Sequence, residues 1–135
     1  MPLCFVKYDV DPNEYEIHKD VYDLDIMLTP KPILYDADKR ILVLEHITGM
    51  SVSDLHGEGA DLIAPELFER IRSMVRTLAE RGIEYRDITG YNFMLDDEGR
   101  LWIIDFEHAA RKEIITDDFV DHFLRGLNAW NEEFR

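Results

Sequence analysis

Three polar side chains at fixed intervals constrain this chain more than any other feature: Asp87, Asn92 and Asp105, five and thirteen positions apart. Between Asn92 and Asp105, the apolar run Phe93-Met94-Leu95 is followed by the polar stretch Asp96 to Arg100. A second apolar run, Leu101-Trp102-Ile103-Ile104, completes the pattern. Two short apolar runs around a polar, Gly-containing turn predict a β-hairpin, and a hairpin returns the chain to its starting point. Asn92 and Asp105 are therefore expected side by side, with Asp87 tethered close by through a short loop. That arrangement gathers a carboxylate able to orient a proton and two oxygen ligands for a hard divalent cation, which are the requirements of phosphoryl transfer from a nucleotide. A plainer reading treats Asp87 and Asn92 as turn residues and Asp105 as a strand-end cap. It accounts for each residue singly but not for their joint spacing.

At these residues the sequence resembles the protein kinase-like superfamily. Tyr85-Arg86-Asp87-Ile88-Thr89-Gly90-Tyr91-Asn92 is similar to the kinase catalytic loop, and Ile104-Asp105-Phe106-Glu107 stands where kinases have Asp-Phe-Gly. The resemblance implies that Asp87 orients the attacking hydroxyl and that Asn92 and Asp105 hold Mg2+ against the phosphates of ATP. Two departures matter. Glu107 replaces the usual Gly, as in choline-kinase-like small-molecule kinases. Thr89 replaces a Lys common in serine/threonine kinases and resembles the small KEOPS-complex kinases associated with tRNA modification. By the same resemblance, Lys7 and Glu14 (or Glu16) are a candidate ion pair for the α- and β-phosphates, although two surface charges would read the same way. Leu44-Glu45-His46-Ile47 is similar to the adenine-binding hinge, using the Glu45 carbonyl and the Ile47 amide. Val43 and Leu95 suit either the purine or the core.

Element by element, the pattern gives a strand within Leu3–Tyr8 and a helix after Asp11-Pro12-Asn13 with Ile17, Val21 and Leu24 on one face. Strands follow at Ile33–Tyr35 and Ile41–Glu45, the latter apolar on both faces and so expected to be buried. Thr48 to Ser51 breaks the pattern, and Val52–Leu55 suits one helical turn. Pro65–Glu80 is the clearest helix, with an apolar stripe at Leu67, Ile71, Met74, Val75 and Leu78. A last helix is expected over Asp117–Phe134, from the repeat of Phe119, Phe123, Leu127, Trp130 and Phe134.

The fold expected is α+β, a reduced protein kinase-like fold forming a single domain over 1–135. Residues 1–47 would be a truncated N-terminal lobe with hinge, and 48–135 a short helical C-terminal lobe. The resemblance also exposes gaps. Six residues precede Lys7, too few for a Gly-rich phosphate-covering loop. The His108–Thr116 stretch is short, and Arg86 has only Thr116 as an in-chain phosphate-bearing candidate. Three readings result: a minimal ATP- and Mg2+-dependent phosphotransferase, a kinase-like binding module acting through a protein partner, and a small-molecule kinase.

Composition excludes several classes. With 29 acidic against 15 basic residues the net charge is -14, so direct binding to nucleic acid or an anionic membrane is not expected. A single cysteine, Cys4, rules out an internal disulfide and fits a reducing compartment. The histidines make no zinc-like spacing with it. No apolar run is long enough to span a bilayer and the N-terminus has no secretory pattern, so a cytoplasmic protein is expected.

Overall fold

A computed structural model describes residues 3–134. The chain begins with strand β1 (Cys4–Lys7), helix α1 (Pro12–Leu24), and strands β2 (Pro32–Asp36) and β3 (Ile41–Glu45). These strands form one antiparallel sheet in the order β1-β3-β2, with Lys7 opposite Leu42 and Phe5 opposite Leu44. Helix α1 starts where Asp11, in extended backbone, accepts the Glu14 N–H, with Pro12 in the first turn.

After this sheet come β4 (Gly49–Ser51), the short helix α2 (Val52–His56), a 3-10 turn (Ala60–Leu62) and α3 (Pro65–Glu80). The expected hairpin is present as β6 (Phe93–Asp96) and β7 (Leu101–Ile103), with Phe93 paired to Ile103, and β4 adds to its outer edge. Its turn closes through Asp96, whose carboxylate takes the Glu98 and Arg100 N–H groups and the Trp102 indole, while Gly99 adopts a left-handed φ of 77°. Strands β5 (Ile83–Tyr85) and β8 (Ala109–Arg111) pair on either side of the hairpin, and α4 (Asp118–Leu124) follows. Strands β4, β5 and β8 have three residues each. Runs so short show no alternation, so periodicity does not reveal them.

One large core joins α1, α3, the hairpin and α4 through Ile17, Val21, Ile71, Val75, Phe93, Phe106 and Phe123. Helix α1 thus packs on the C-terminal part of the chain. Of its expected stripe, Ile17 and Val21 are fully buried but Leu24 is exposed. A second cluster, Val10, Leu42 and Leu44 with Tyr15 and Tyr35, lies under the first sheet.

Two expectations fail. Strand β3 is buried on one face only: Leu42 and Leu44 are covered, whereas Val43 lies in register with exposed Val6 and Leu34. No described element covers that face. The last helix ends at Leu124 rather than Phe134. Gly126 takes φ 121°, and the buried guanidinium of Arg72 captures the carbonyls of Phe123 and Leu127. The aromatic repeat outlasts the helix: Phe119 and Phe123 belong to α4, whereas Trp130 reaches the core from the non-helical chain beyond it.

Candidate functional site

Backbone pairing sets the site. The Ile104 N–H donates to the Asn92 carbonyl at 3.0 Å, so both arms of the hairpin end at the same place and Asp105 follows directly. The turn at Asp87 is tight. Its carbonyl accepts the Thr89 N–H at 3.1 Å and the Asn92 side-chain amide at 2.9 Å. Asn92, buried, is thereby oriented by the very residue it stands beside. Partial burial raises the Asp87 carboxyl above its ordinary value; the neighbouring Asn92 amide opposes this and the charge of Asp105 reinforces it.

Lys7 reaches the same place from the first sheet. Its ammonium bonds the Glu14 carboxylate and, at 2.9 Å, Oδ1 of Asp105. The pairing selects Glu14; Glu16 is exposed on the other side of α1. Burial works against the charge on Lys7, but Asp105 and Glu14 together outweigh it and its pKa is raised. Glu14 is also raised, because burial outweighs its bond to Lys7. Lys7 stands at the end of β1 and Glu14 in the first turn of α1. The intervening backbone turns sharply at Asp9, with φ 57°.

Tyr85 and Glu107 also hold Asp105 in place. The Tyr85 hydroxyl donates to the Asp105 carbonyl, and the Glu107 N–H donates to its Oδ1 at 2.9 Å. His18, buried on α1, packs on the Phe106 ring at 4.9 Å and donates from Nε2 to the Pro30 carbonyl at 2.8 Å. Desolvation holds its pKa down to about 4. A folded value below the unfolded one, about 6.5, means that the stabilisation is complete above pH 6.5 and is lost as pH falls towards 4. Relative to a His18→Gln variant, which keeps an amide donor, the wild type should lose about 2 kcal/mol between pH 7.5 and pH 5. Urea unfolding at the two pH values measures the difference; parallel pH dependence in both proteins would refute it.

A cavity of about 340 Å³ opens above this cluster. Phe5 and Leu44 form one wall, Met94 and Ile104 the other, and Lys7 and Asp105 the polar end. Two apolar walls with charge at one end suit a flat heteroaromatic ring bearing an anionic tail. The purine-facing candidates therefore need correcting by one position on each strand: Leu44 and Met94 line the space, not Val43 and Leu95. Side chains alternate along a strand, so a one-residue shift reverses the face. Glu45 and Ile47 also line the cavity, and the Glu45 carboxylate accepts the Lys31 N–H at 2.8 Å. Its side chain thus holds the connection in place.

Arg86 and Thr116 do not meet. Thr116 bonds the buried Glu84 carboxylate through its N–H at 2.7 Å, and the Arg86 guanidinium lies over the Phe134 ring at 5.5 Å. Among the described residues, no three His, Cys, Asp or Glu side chains gather as a metal cage, and no helix is long and apolar enough to cross a membrane. Asp105 lines the polar end of the cavity, whereas Asp87 and Asn92 are not among its lining residues. The Asp105 carboxylate and the Asn92 amide oxygen are hard donors of the kind that suits Mg2+, which prefers few protein ligands and shares phosphate oxygens.

The family profile described as RIO domain matches residues 8–117. The chain is 32% identical over 91 residues to CBL-interacting protein kinase 32 of Oryza sativa subsp. japonica, covering 65% of this chain and 21% of that protein. It is 36% identical over 77 residues to a probable bifunctional tRNA threonylcarbamoyladenosine biosynthesis protein of Methanosarcina acetivorans, covering 57% and 13%. The chain thus spans only a minor part of the curated relatives it matches. Among solved structures, the Cydia pomonella granulovirus kinase PK-1 superposes with a TM-score of 0.59 at 13% identity, covering 80% of this chain and 42% of that one. That likeness concerns the fold.

Proposed function

Because the chain belongs to the RIO domain family and has a reduced protein kinase-like fold, we propose that it is a minimal ATP- and Mg2+-dependent phosphotransferase built as one domain. Its N-terminal lobe and hinge would run to residue 47 and its C-terminal lobe from residue 48. Asp87 accepts a hydrogen bond from the attacking hydroxyl and takes up its proton. A carboxyl raised by burial is a better acceptor than an exposed one. Lys7, held charged between Glu14 and Asp105, neutralises the α- and β-phosphates. The Glu45 carbonyl and Ile47 amide take the adenine edge, between Leu44 and Met94. Asn92 and Asp105 supply the oxygen ligands for Mg2+, whose chemistry when bound is to spread the negative charge of the phosphates.

The observation that carries this reading is the Lys7 ammonium bonded to both Glu14 and Asp105 at the polar end of the cavity. Lys7 and Asp105 are 98 positions apart. A second reading, a binding module with little turnover, draws on Thr89. It is buried and uncharged where a cation would help neutralise the transferred group.

Asp87→Asn tests the base. It should lower transfer from [γ-32P]ATP by about 10²- to 10⁴-fold, with thermal stabilisation by Mg2+-ATP retained. Undiminished transfer would remove Asp87 from its role. Absence of any stabilisation of the wild type at millimolar nucleotide would remove the nucleotide site.

A further inference from the structure

After α4 the chain runs back across the catalytic-loop segment as a strap. Arg72 fixes its start, bonding the Leu127 carbonyl at 3.0 Å and the Asn128 side-chain oxygen at 2.5 Å. Trp130 then packs on Phe68, with ring centres 4.7 Å apart. Asn131 is only 4% exposed, and it touches the segment on both sides of Asp87. Its main-chain N–H donates to the Ile88 carbonyl and its Nδ2 to the Arg86 carbonyl, both at 2.8 Å. Its Oδ1 accepts the Glu133 N–H at 3.1 Å and so starts the 3-10 turn Glu132–Phe134. That turn places Phe134 against the Arg86 guanidinium and, at 4.7 Å between ring centres, against His108.

These contacts complete the bonding of the loop. The Arg86 carbonyl accepts from Ile88 N–H and from Asn131, and the Asp87 carbonyl from Thr89 N–H and Asn92. Asn131 is the one strap residue that bonds the backbone of this turn in the contacts above. Packing alone does not hold the two together, because a cavity of about 140 Å³ remains between Thr89, Gly90 and Tyr91 on one side and Trp130 and Phe134 on the other. Trp130 Nε1 is buried there with no hydrogen-bond partner among the described residues. The hydrogen bonds of Asn131 therefore bear the alignment. Phe134 adds a link of a different kind, since Arg86 belongs to the Asp87 segment and His108 to the segment that begins at Asp105.

We propose that Asn131 and Phe134 are positioning residues: the strap fixes the backbone that carries Asp87 and couples it to the segment following Asp105. An aromatic ring supplied from the same chain thereby occupies Arg86. The kinetic part rests on the reading of Asp87 as the base; the structural part does not.

Two variants test it in the full chain, Asn131→Asp and Phe134→Leu. Asn131→Asp keeps the oxygen that caps Glu133 and removes the donor to Arg86. Hydrogen exchange of the Ile88 and Thr89 amides should accelerate by about tenfold or more, while α3 amides keep their protection. Turnover should fall by about 10- to 100-fold, as expected for a displaced reacting group, with KM for ATP and Mg2+-ATP thermal stabilisation unchanged. Phe134→Leu should give the same pattern more weakly, and it carries the test if Asn131→Asp fails to fold. Unchanged exchange at residues 88 and 89 would overturn the strap. Faster exchange in the variants, with a wild type that shows no phosphotransfer, would retain the strap and reject the base. Equal losses in kcat and nucleotide binding would show a general structural role and overturn the positioning one.

Discussion

Asp105→Asn should abolish the Mg2+-dependent part of nucleotide binding and lower turnover by about 10³-fold, with the fold intact. The substitution keeps an oxygen able to accept the Glu107 N–H and the Lys7 ammonium, so both bonds can persist. What it removes is the formal charge. Lys7 and Asp105 are both partly open to solvent, their side chains 21% and 26% exposed. Loss of that ion pair should therefore cost no more than about 1 kcal/mol. The ligand effect is larger. A nucleotide at one hundred times its dissociation constant stabilises the folded state by about 2.7 kcal/mol, a shift of roughly 10 °C for a domain of this size. The wild type should show that shift with Mg2+-ATP and a smaller one with ATP plus EDTA. In the variant the two curves should coincide. A variant that still responds to Mg2+ would show that Asp105 does not hold the ion.

Arg72→Ala should destabilise the protein by about 3 kcal/mol. Arg72 is 4% exposed in the middle of α3. Its guanidinium bonds the Phe123 carbonyl at 2.6 Å, the Leu127 carbonyl, the Asn128 side chain and Glu69, and its carbon lies 5.0 Å above the Phe123 ring. Removing it leaves the carbonyls at the end of α4 without that donor and opens space beneath Phe123. Arg72→Lys should recover little, because a single ammonium cannot reproduce the planar fork that serves several acceptors at once. Urea unfolding gives the stability. Since Arg72 also fixes the start of the strap, exchange at Ile88 and Thr89 should rise in the same variant. A loss under 1 kcal/mol would mean that α3 and the strap are joined by apolar packing alone.

The site was legible wherever local sequence forces local geometry. The hairpin from Phe93 to Ile103 follows from two apolar runs and an Asp-rich turn with Gly99, and it dictates that Asn92 and Asp105 lie at one end. Pro65–Glu80 follows from an apolar stripe bounded by Pro and Gly82. Other parts were not legible, for identifiable reasons. The three-residue strands β4, β5 and β8 have no periodicity of their own; their pairing partners create them. The face of β3 that meets the cavity depends on which side the rest of the chain covers, so Val43 and Leu44 could not be told apart. The repeat from Phe119 to Phe134 carries a true helical spacing, yet Arg72, far away in sequence, captures carbonyls at its middle and Gly126 turns the chain.

The sequence by itself determined that Asn92 and Asp105 end the two arms of one hairpin, because spacing around a hairpin is a local property that few residues specify. Only the tertiary structure decided that Lys7 reaches Asp105, that Phe134 rather than Thr116 meets Arg86, and that Asn131 grips both sides of Asp87. Those contacts join residues dozens of positions apart, and their energy comes from buried donors and acceptors that find one another only once the core has formed.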